Sequence, residues 1–191
     1  MRGEEKMIIG LSGKIGTGKT YLTNYFLEKH PEYTKIGFAD ILKKECSEMF
    51  CYPNEWNYSE DGKKEVVHDN RFPQWFMTVR EILQWYGTDV CRAVDTNYWV
   101  KKMTKIIEPF FEDIFPDVII DDVRFINEAN LIQNMNGKVI RLNPYPGWKP
   151  GLYANHESER NLDDYENFDL ILNPQFGQLE SCLPQIEKLL K

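Results

Sequence analysis

The sequence has few cysteines, and they are widely scattered. Cys46, Cys51, Cys91 and Cys182 are the four among 191 residues, and no two lie at the short spacing of a zinc-binding pair. A disulfide framework and a cysteine-based zinc site are therefore disfavoured. Reduced and mostly buried thiols are expected, as in a cytosolic protein.

Long apolar stretches are also missing. The first apolar run, residues 7–11, follows a charged segment and is far too short for a signal peptide or a membrane span. We therefore expect a cytoplasmic protein that does not bind membranes, located in the host cytoplasm if the source is a virus.

Positive charge is in deficit. Twenty-three Lys and Arg stand against 30 Asp and Glu, which leaves a formal net charge of −7. Broad electrostatic binding to nucleic acid or to anionic lipid requires a basic face, so neither is expected as a partner. With 42% hydrophobic and 28% charged residues, the composition is that of a globular chain. The length fits one domain spanning residues 1–191.

Apolar runs alternate with helical patterns along the chain. Runs that favour buried strands lie at 7–11, 35–38, 118–120, 138–142 and 170–172. Helical periodicity lies at 20–29, 39–50, 79–86, 96–107, 127–135 and 179–190. This alternation predicts an α/β fold, with a parallel sheet flanked by helices on both faces. Two segments break the pattern, an irregular, aromatic-rich insert at 51–78 and a Pro- and Gly-rich loop of lid size that starts at 143.

The first strand runs into a complete phosphate-binding motif. The pattern G-x-x-x-x-G-K-[ST] is formed by Gly13, Lys14, Ile15, Gly16, Thr17, Gly18, Lys19 and Thr20. Its glycines let backbone N–H groups surround a phosphate, and the helix that follows adds its positive end. Lys19 then reaches the β and γ phosphates, and the Thr20 hydroxyl binds Mg²⁺. The motif predicts binding of a nucleoside triphosphate, with ATP as the expected donor.

Carboxylates and arginines elsewhere suit the same chemistry. Asp121 and Asp122 close the strand at 118–120, where one could hold a Mg²⁺ water or simply cap a helix or pair with Arg124. Asp40 follows the second strand and is equally well explained as a helix cap.

A set of planar or polar side chains could bind a monophosphate acceptor. Arg80, Gln84 and Thr88 share one helix face, and Arg92 and Arg124 add guanidiniums that bind phosphate in bidentate fashion. Taken singly, each arginine is also explained as a solvated surface residue. Trp85 and Trp99 could stack on a base or fill the core.

Several motifs, taken in order, carry a resemblance to a known family. They are residues 10–20, 38–43, 80–89 with Arg92, 97–100, 121–129 and 156–159. With them the chain resembles the deoxynucleoside monophosphate kinases of tailed bacteriophages, in the P-loop nucleoside monophosphate kinase-like superfamily. The resemblance covers nearly the whole chain. Its most specific parts are Leu-Gln-x-x-Gly-Thr at 83–88 and Asp-Val-Arg-Phe-x-Asn-Glu-Ala at 122–129.

The resemblance implies transfer of the ATP γ-phosphate to a deoxynucleoside 5′-monophosphate, giving ADP and the diphosphate. Lys19, Arg80, Arg124 and Asp122 would be the catalytic residues, and Thr20 with Asp121 or Asp122 would place Mg²⁺. The acceptor would be bound by Asp40, Lys43, Arg80, Gln84, Trp85, Gly87, Thr88, Arg92, Trp99, Arg124, Asn127 and Glu128. The insert at 51–78 would be the acceptor-binding flap and 143–160 the lid, whose side chains include Arg141, Lys149, His156 and Arg160. The lid cation is open among Arg141, Lys149 and Arg160.

Other functions share this sequence pattern. A kinase of another small acceptor, such as phosphomevalonate or dephospho-coenzyme A, fits the same fold. A nucleotide-dependent switch without an acceptor would not need the arginine set, and no Asn-Lys-x-Asp motif for guanine is present. Base preference and the choice between deoxyribose and ribose are open, and a homodimer is the family default.

Overall fold

The computed structural model of the chain describes residues 7–68, 71, 76–111, 116–151 and 155–191. Parts of the expected flap (69, 70 and 72–75) and of the expected lid (152–154) lie outside the described residues. The chain forms two compact units, Met1–Gly37 with Ile106–Lys191, here the sheet unit, and Phe38–Lys105, here the helical unit. The helical unit spans more residues than the predicted insert at 51–78. The expectation that the chain is a single domain stays a prediction.

The strands and helices follow one another largely as the sequence pattern predicts. The strands are β1 (Ile8–Gly13), β2 (Tyr33–Ile36), β3 (Val66–Val67), β4 (Met77–Thr78), β5 (Asp117–Val123), β6 (Lys138–Leu142) and β7 (Leu170–Leu172). The α-helices are α1 (Lys19–Lys29), α2 (Phe38–Met49), α3 (Val79–Gln84), α4 (Cys91–Val94), α5 (Tyr98–Ile107), α6 (Ile126–Asn134), α7 (Glu157–Arg160) and α8 (Leu183–Leu189). Among these described residues, no helix is long and apolar enough to cross a membrane.

The sheet unit is built on five parallel strands in the order β2-β5-β1-β6-β7. On one face, Ile9 and Leu11 of β1 join Phe26 of α1 and Ile186 of α8 in a buried cluster. On the other face, Gly10 lies so close to α6 that an added Cβ would stand 2.5 Å from Ile132 Cδ1. Helices therefore cover both faces, which confirms the predicted fold class.

The central strand places the phosphate-binding motif at a functional edge. β1 lies between β5 and β6, and the loop that leaves its carboxyl end leads directly into α1. In open parallel sheets, ligands bind at the carboxyl ends of strands where the strand order reverses. β5 extends through Asp121 and Asp122 to Val123, because pairing with Ser12 of β1 continues past the apolar run. The two carboxylates therefore lie within the strand and not after it.

The helical unit departs from a simple helical pattern. Helix α3 begins with a capping box between Thr78 and Glu81 and ends at Gln84, where Trp85–Val90 continue as a π-helix. Trp99 donates its indole N–H to the Gly87 carbonyl at 2.8 Å within this wider turn. Apolar spacing alone did not reveal the π-helix, because its i to i+5 bonding leaves the same residue types buried.

Candidate active site

The phosphate-binding loop needs glycine at defined points. Gly16 and Gly18 have φ of 77° and 94°, in the left-handed region that glycine adopts freely. At Gly18 an added Cβ would also stand 2.4 Å from Leu179 Cδ1, and at Gly13 it would stand 2.7 Å from the Leu142 carbonyl oxygen. The loop is thus packed between β6 and the segment that precedes α8.

Lys19 lies at the end of this loop, where α1 begins. Its side chain is buried, and Nζ donates to the carbonyl oxygens of Gly13 (2.7 Å) and Lys14 (2.8 Å). Burial, with a smaller contribution from the nearby Arg124 guanidinium, lowers the pKa of Lys19 to about 7, although carboxylates including Glu159 act in the opposite direction. The ammonium is therefore poised to gain from a phosphate oxygen placed beside it.

The residues predicted to bind Mg²⁺ lie around the same lysine. Thr20 is exposed in the first turn of α1. Asp121 is buried and pairs with Lys35 at 2.7 Å. The charges of Asp121 and Asp122 both act to raise the pKa of Lys19, so the two carboxylates lie close enough to interact electrostatically with its ammonium. Within the residues described, no cluster of three or more His, Cys, Asp or Glu side chains could hold a metal alone.

A carboxylate that the sequence analysis did not single out contacts the loop directly. Glu159 of α7 accepts the backbone N–H of Ile15 at 2.7 Å through Oε2, and its Oε1 pairs with Arg124 Nη1. The Lys14 ammonium donates to the Glu159 carbonyl oxygen and to Asp163. Lying three residues after the helix cap His156, Glu159 has the spacing of a capping acid, and no local pattern marks it as a loop contact.

The candidates for a lid cation have separate surroundings. Arg141 lies within β6, nearly buried, where it donates to Ser12 Oγ at 3.1 Å and to Asp163 at 3.3 Å. Burial lowers the pKa of Arg141. Lys149 and Arg160 are exposed, and His156 caps α7 by accepting the Ser158 N–H. Arg141 therefore serves the sheet in this structure, and the lid role of the others stays a prediction.

A cleft opens beside the loop on the side of α1. It measures about 460 Å³ and is lined by Gly16, Gly18, Tyr21, Tyr145, Phe176 and Leu179, among others. The rings of Tyr145 and Phe176 meet edge to face with centroids 5.0 Å apart, and Phe176 is 74% exposed. The cleft combines aromatic walls with a phosphate loop at one end. Sequence reasoning missed it because its walls come from three distant segments.

Other predicted acceptor residues belong to the helical unit. Arg80 pairs with Glu60 at 2.6 Å, and Arg92 donates to the Thr96 carbonyl at 3.2 Å. Lys43 pairs with Asp40 at 3.2 Å. The remaining ones, all at the junction of α3 and the π-helix or packed on it, are Gln84, Trp85, Gly87, Thr88 and Trp99.

Three predicted acceptor residues lie in the sheet unit. Arg124 stands directly before α6, and Asn127 lies in its first turn. The buried carboxylate of Glu128 accepts the backbone N–H groups of Arg124 (2.8 Å) and Phe125 (3.1 Å). Glu128 therefore fixes the backbone on which the Arg124 side chain stands.

Comparison with known proteins agrees with this geometry. The family model of deoxynucleotide monophosphate kinases matches residues 34–182. The chain belongs to this family. A protein of Acanthamoeba polyphaga mimivirus, provisionally named a deoxynucleotide monophosphate kinase, is 30% identical over 201 residues, covering 96% of this chain and 99% of its own.

A shikimate kinase from Bacteroides thetaiotaomicron, solved at 1.7 Å, has 18% identity and a TM-score of 0.46 over 96% of this chain and 98% of its own. The family model and the mimivirus relative show that the chain is a member of the deoxynucleotide monophosphate kinase family and a phosphotransferase acting on nucleotides, as the sequence motifs predicted.

Proposed function

We propose that this kinase transfers the γ-phosphate of ATP to a deoxynucleoside 5′-monophosphate and releases ADP and the diphosphate. The observation that carries the proposal is the phosphate loop, which ends at the buried Lys19 and has Arg124 close to that lysine. The family to which the chain belongs supports the same reading. A lysine ammonium and a guanidinium at a backbone anion site are the cations that stabilise a transferring phosphoryl group.

The aromatic cleft supports a purine nucleotide as the donor. Its volume of about 460 Å³ falls within the usual range for small-ligand pockets. Tyr145 and Phe176 offer flat apolar surfaces for a base, while Gly16 and Gly18, which also line the cleft, belong to the phosphate loop. A base held there would direct its triphosphate along the loop, which is the arrangement ATP needs.

The residues near Lys19 fit a Mg²⁺ ion. Mg²⁺ prefers oxygen ligands, keeps several waters, and is usually held by one or two protein oxygens together with substrate phosphates. The exposed Thr20 hydroxyl and a carboxylate at 121–122 supply this donor set beside Lys19. Bound there, the ion would neutralise charge on the donor phosphates.

The reaction then depends on placement and charge more than on proton transfer. Lys19 would neutralise the oxygens between donor and transferring group, and Arg124 would stabilise the transferring group. Arg80 and Arg92 of the helical unit are proposed for the acceptor phosphate. The lid segment at 143–160 would exclude water, so that ATP is not hydrolysed.

The decisive experiment is a coupled ADP-release assay with ATP and Mg²⁺. The acceptors would be the deoxy- and ribonucleoside monophosphates, phosphomevalonate and dephospho-coenzyme A. We expect turnover with one or more deoxynucleoside monophosphates. Activity only with a non-nucleotide acceptor, or ATP hydrolysis that no acceptor changes, would contradict the proposal.

A further inference from the structure

The carboxylate of Glu159 is bound as an anion by the phosphate loop. Its two oxygens are divided between the Ile15 N–H, at 2.7 Å, and the Arg124 guanidinium. The residue is 8% exposed, so its charge is shielded from water and depends on these donors. Both donors belong to the machinery proposed for the transferring phosphate.

A backbone N–H donates one good hydrogen bond. The Ile15 N–H lies inside the motif whose amides surround phosphate, so a terminal phosphate and Glu159 compete for it. Two anions sharing this space would also repel each other in a poorly hydrated site. The two occupants therefore exclude each other.

We propose that Glu159 is an internal substitute for the terminal phosphate of the donor, which a bound triphosphate displaces from Ile15 and Arg124. This inference rests on the proposed function, because it takes the loop to be the donor site. In the free protein the carboxylate keeps Arg124 beside the loop. In the complex, the Ile15 N–H and the Arg124 guanidinium bind the terminal phosphate instead, and α7 moves away from the loop.

Contacts beside Glu159 hold α7 against the phosphate loop and against α6. Lys14 donates to the Glu159 carbonyl oxygen, and Asn161, just after α7, accepts the Ile126 N–H at 3.0 Å. Since Ile126 begins α6, two residues after Arg124, displacement of α7 also releases a contact near the arginine. Arrival of the triphosphate is thereby linked to movement of α7.

The surrounding charges support an exchange of like for like. The Glu159 carboxylate acts to raise the pKa of Lys19, as the carboxylates at 121 and 122 also do. A terminal phosphate carries more negative charge than one carboxylate, so Lys19 and Arg124 would be more strongly neutralised after the exchange. The negative charge that the loop loses with Glu159 is thus replaced by the charge of the bound triphosphate.

The first test measures affinity for ATP and for inorganic triphosphate by calorimetry in wild type, Glu159→Gln and Glu157→Gln. Glu159→Gln removes the competing charge and should tighten binding of both ligands about tenfold. Glu157→Gln removes the same charge from an exposed position on α7 and should leave both affinities unchanged. Unchanged or weaker binding by a folded Glu159→Gln variant would overturn the inference.

The two ligands separate this inference from the proposed function. If the wild type binds triphosphate but not ATP, the proposed donor is contradicted. The role of Glu159 is then still tested by the triphosphate affinities of wild type and Glu159→Gln. Wild type that binds ATP, with no gain in Glu159→Gln, rejects the role of Glu159 alone. Failure to bind either ligand rejects both.

The second test uses only the wild-type protein and so does not depend on the stability of a variant. Amide hydrogen exchange is followed across 124–128 with and without a non-hydrolysable ATP analogue. The Ile126 N–H in this segment donates to the Asn161 side chain at 3.0 Å, and it should exchange faster when α7 leaves the loop, because this contact is then released. Equal or slower exchange with nucleotide bound would overturn the inference.

Discussion

The sheet unit and the helical unit use charged side chains in opposite ways. In the sheet unit, Lys19 and Arg124 meet backbone groups and a carboxylate at a loop built for anions. In the helical unit, Glu45 accepts from the hydroxyls of Tyr86 (2.8 Å) and Tyr98 (2.5 Å) and pairs with Lys102. The first arrangement can exchange partners with a ligand, while the second is complete within itself.

This difference separates the effects of mutation. Lys19 donates hydrogen bonds to carbonyl oxygens of its own loop, so its removal should spare the fold and damage phosphate transfer. Glu45 joins α2 to the π-helix and to α5, so its neutralisation should damage the fold and spare the chemistry.

The largest effect is expected for Lys19→Ala. Loss of the ammonium removes the cation proposed for the donor phosphates, and turnover should fall about 100- to 1,000-fold. The thermal unfolding midpoint should change little. Lys29→Ala, at the exposed end of the same helix, is the matched control and should keep full activity. Normal phosphotransfer by Lys19→Ala would remove the loop from the reaction.

Glu45→Gln should lower the free energy of unfolding by about 1–3 kcal/mol, because the Lys102 ammonium loses its charged partner. Urea unfolding would measure the loss. Glu48→Gln, exposed on the same helix, should cost nothing measurable.

Glu45 also predicts how the stability of the fold depends on pH. Burial alone would raise the pKa of Glu45, but hydrogen bonds from Lys102, Tyr98 and Tyr86 outweigh it and hold the pKa below its ordinary value. Its stabilisation is therefore complete above the unfolded pKa, about 4.3, and is lost as the pH falls through the folded value. The gap in stability between wild type and Glu45→Gln should narrow below that pH, and a constant gap would contradict this account.

Arg80→Ala tests whether the helical unit also contributes to binding. The acceptor KM should rise about tenfold, the loss of one charged contact, while the KM for ATP stays near the wild-type value. Steady-state kinetics with both substrates varied would show the split. Lys64→Ala, whose side chain is largely exposed in the same unit, is the control. An unaltered acceptor profile would leave Arg80 as a structural partner of Glu60 only.

The smallest expected effect is proton uptake when ATP binds. With a pKa of about 7 in the free protein, Lys19 is largely neutral at pH 8, and a phosphate beside it would restore its proton. Calorimetry in two buffers of different ionisation enthalpy should detect uptake of less than one proton. Lys19→Arg, which does not titrate there, should abolish it. Equal uptake by both proteins would assign the proton to another group.

How far the sequence predicted the structure depended on the range of the interactions. The loop at 13–20 is a local pattern whose glycines and lysine act through their own backbone, and it was correctly predicted. The strands at 138–142 and 170–172 were likewise marked by short apolar runs. These features need no knowledge of distant partners.

Features that depend on distant partners could not be predicted. Glu159 lies far from Ile15 in the chain, and nothing in its neighbours marks a carboxylate that reaches the loop. Arg141 lies in the strand predicted at 138–142, but its side-chain hydrogen bonds to Ser12 and Asp163 depend on residues far away in the chain. The π-helix after Gln84 arises from packing that helical spacing does not record.

The position of β1 at the centre of the sheet has a consequence for synthesis. Both of its neighbours, β5 and β6, come after the whole helical unit in the chain. A nascent chain therefore carries a complete phosphate motif whose strand has no hydrogen-bonding partner until Val123 has left the ribosome, and lacks its second partner until Leu142 has followed. Pairings of such long sequence separation form slowly. The apolar residues of β1 are exposed meanwhile, so the emerging protein is prone to aggregation before its phosphate-binding loop takes shape.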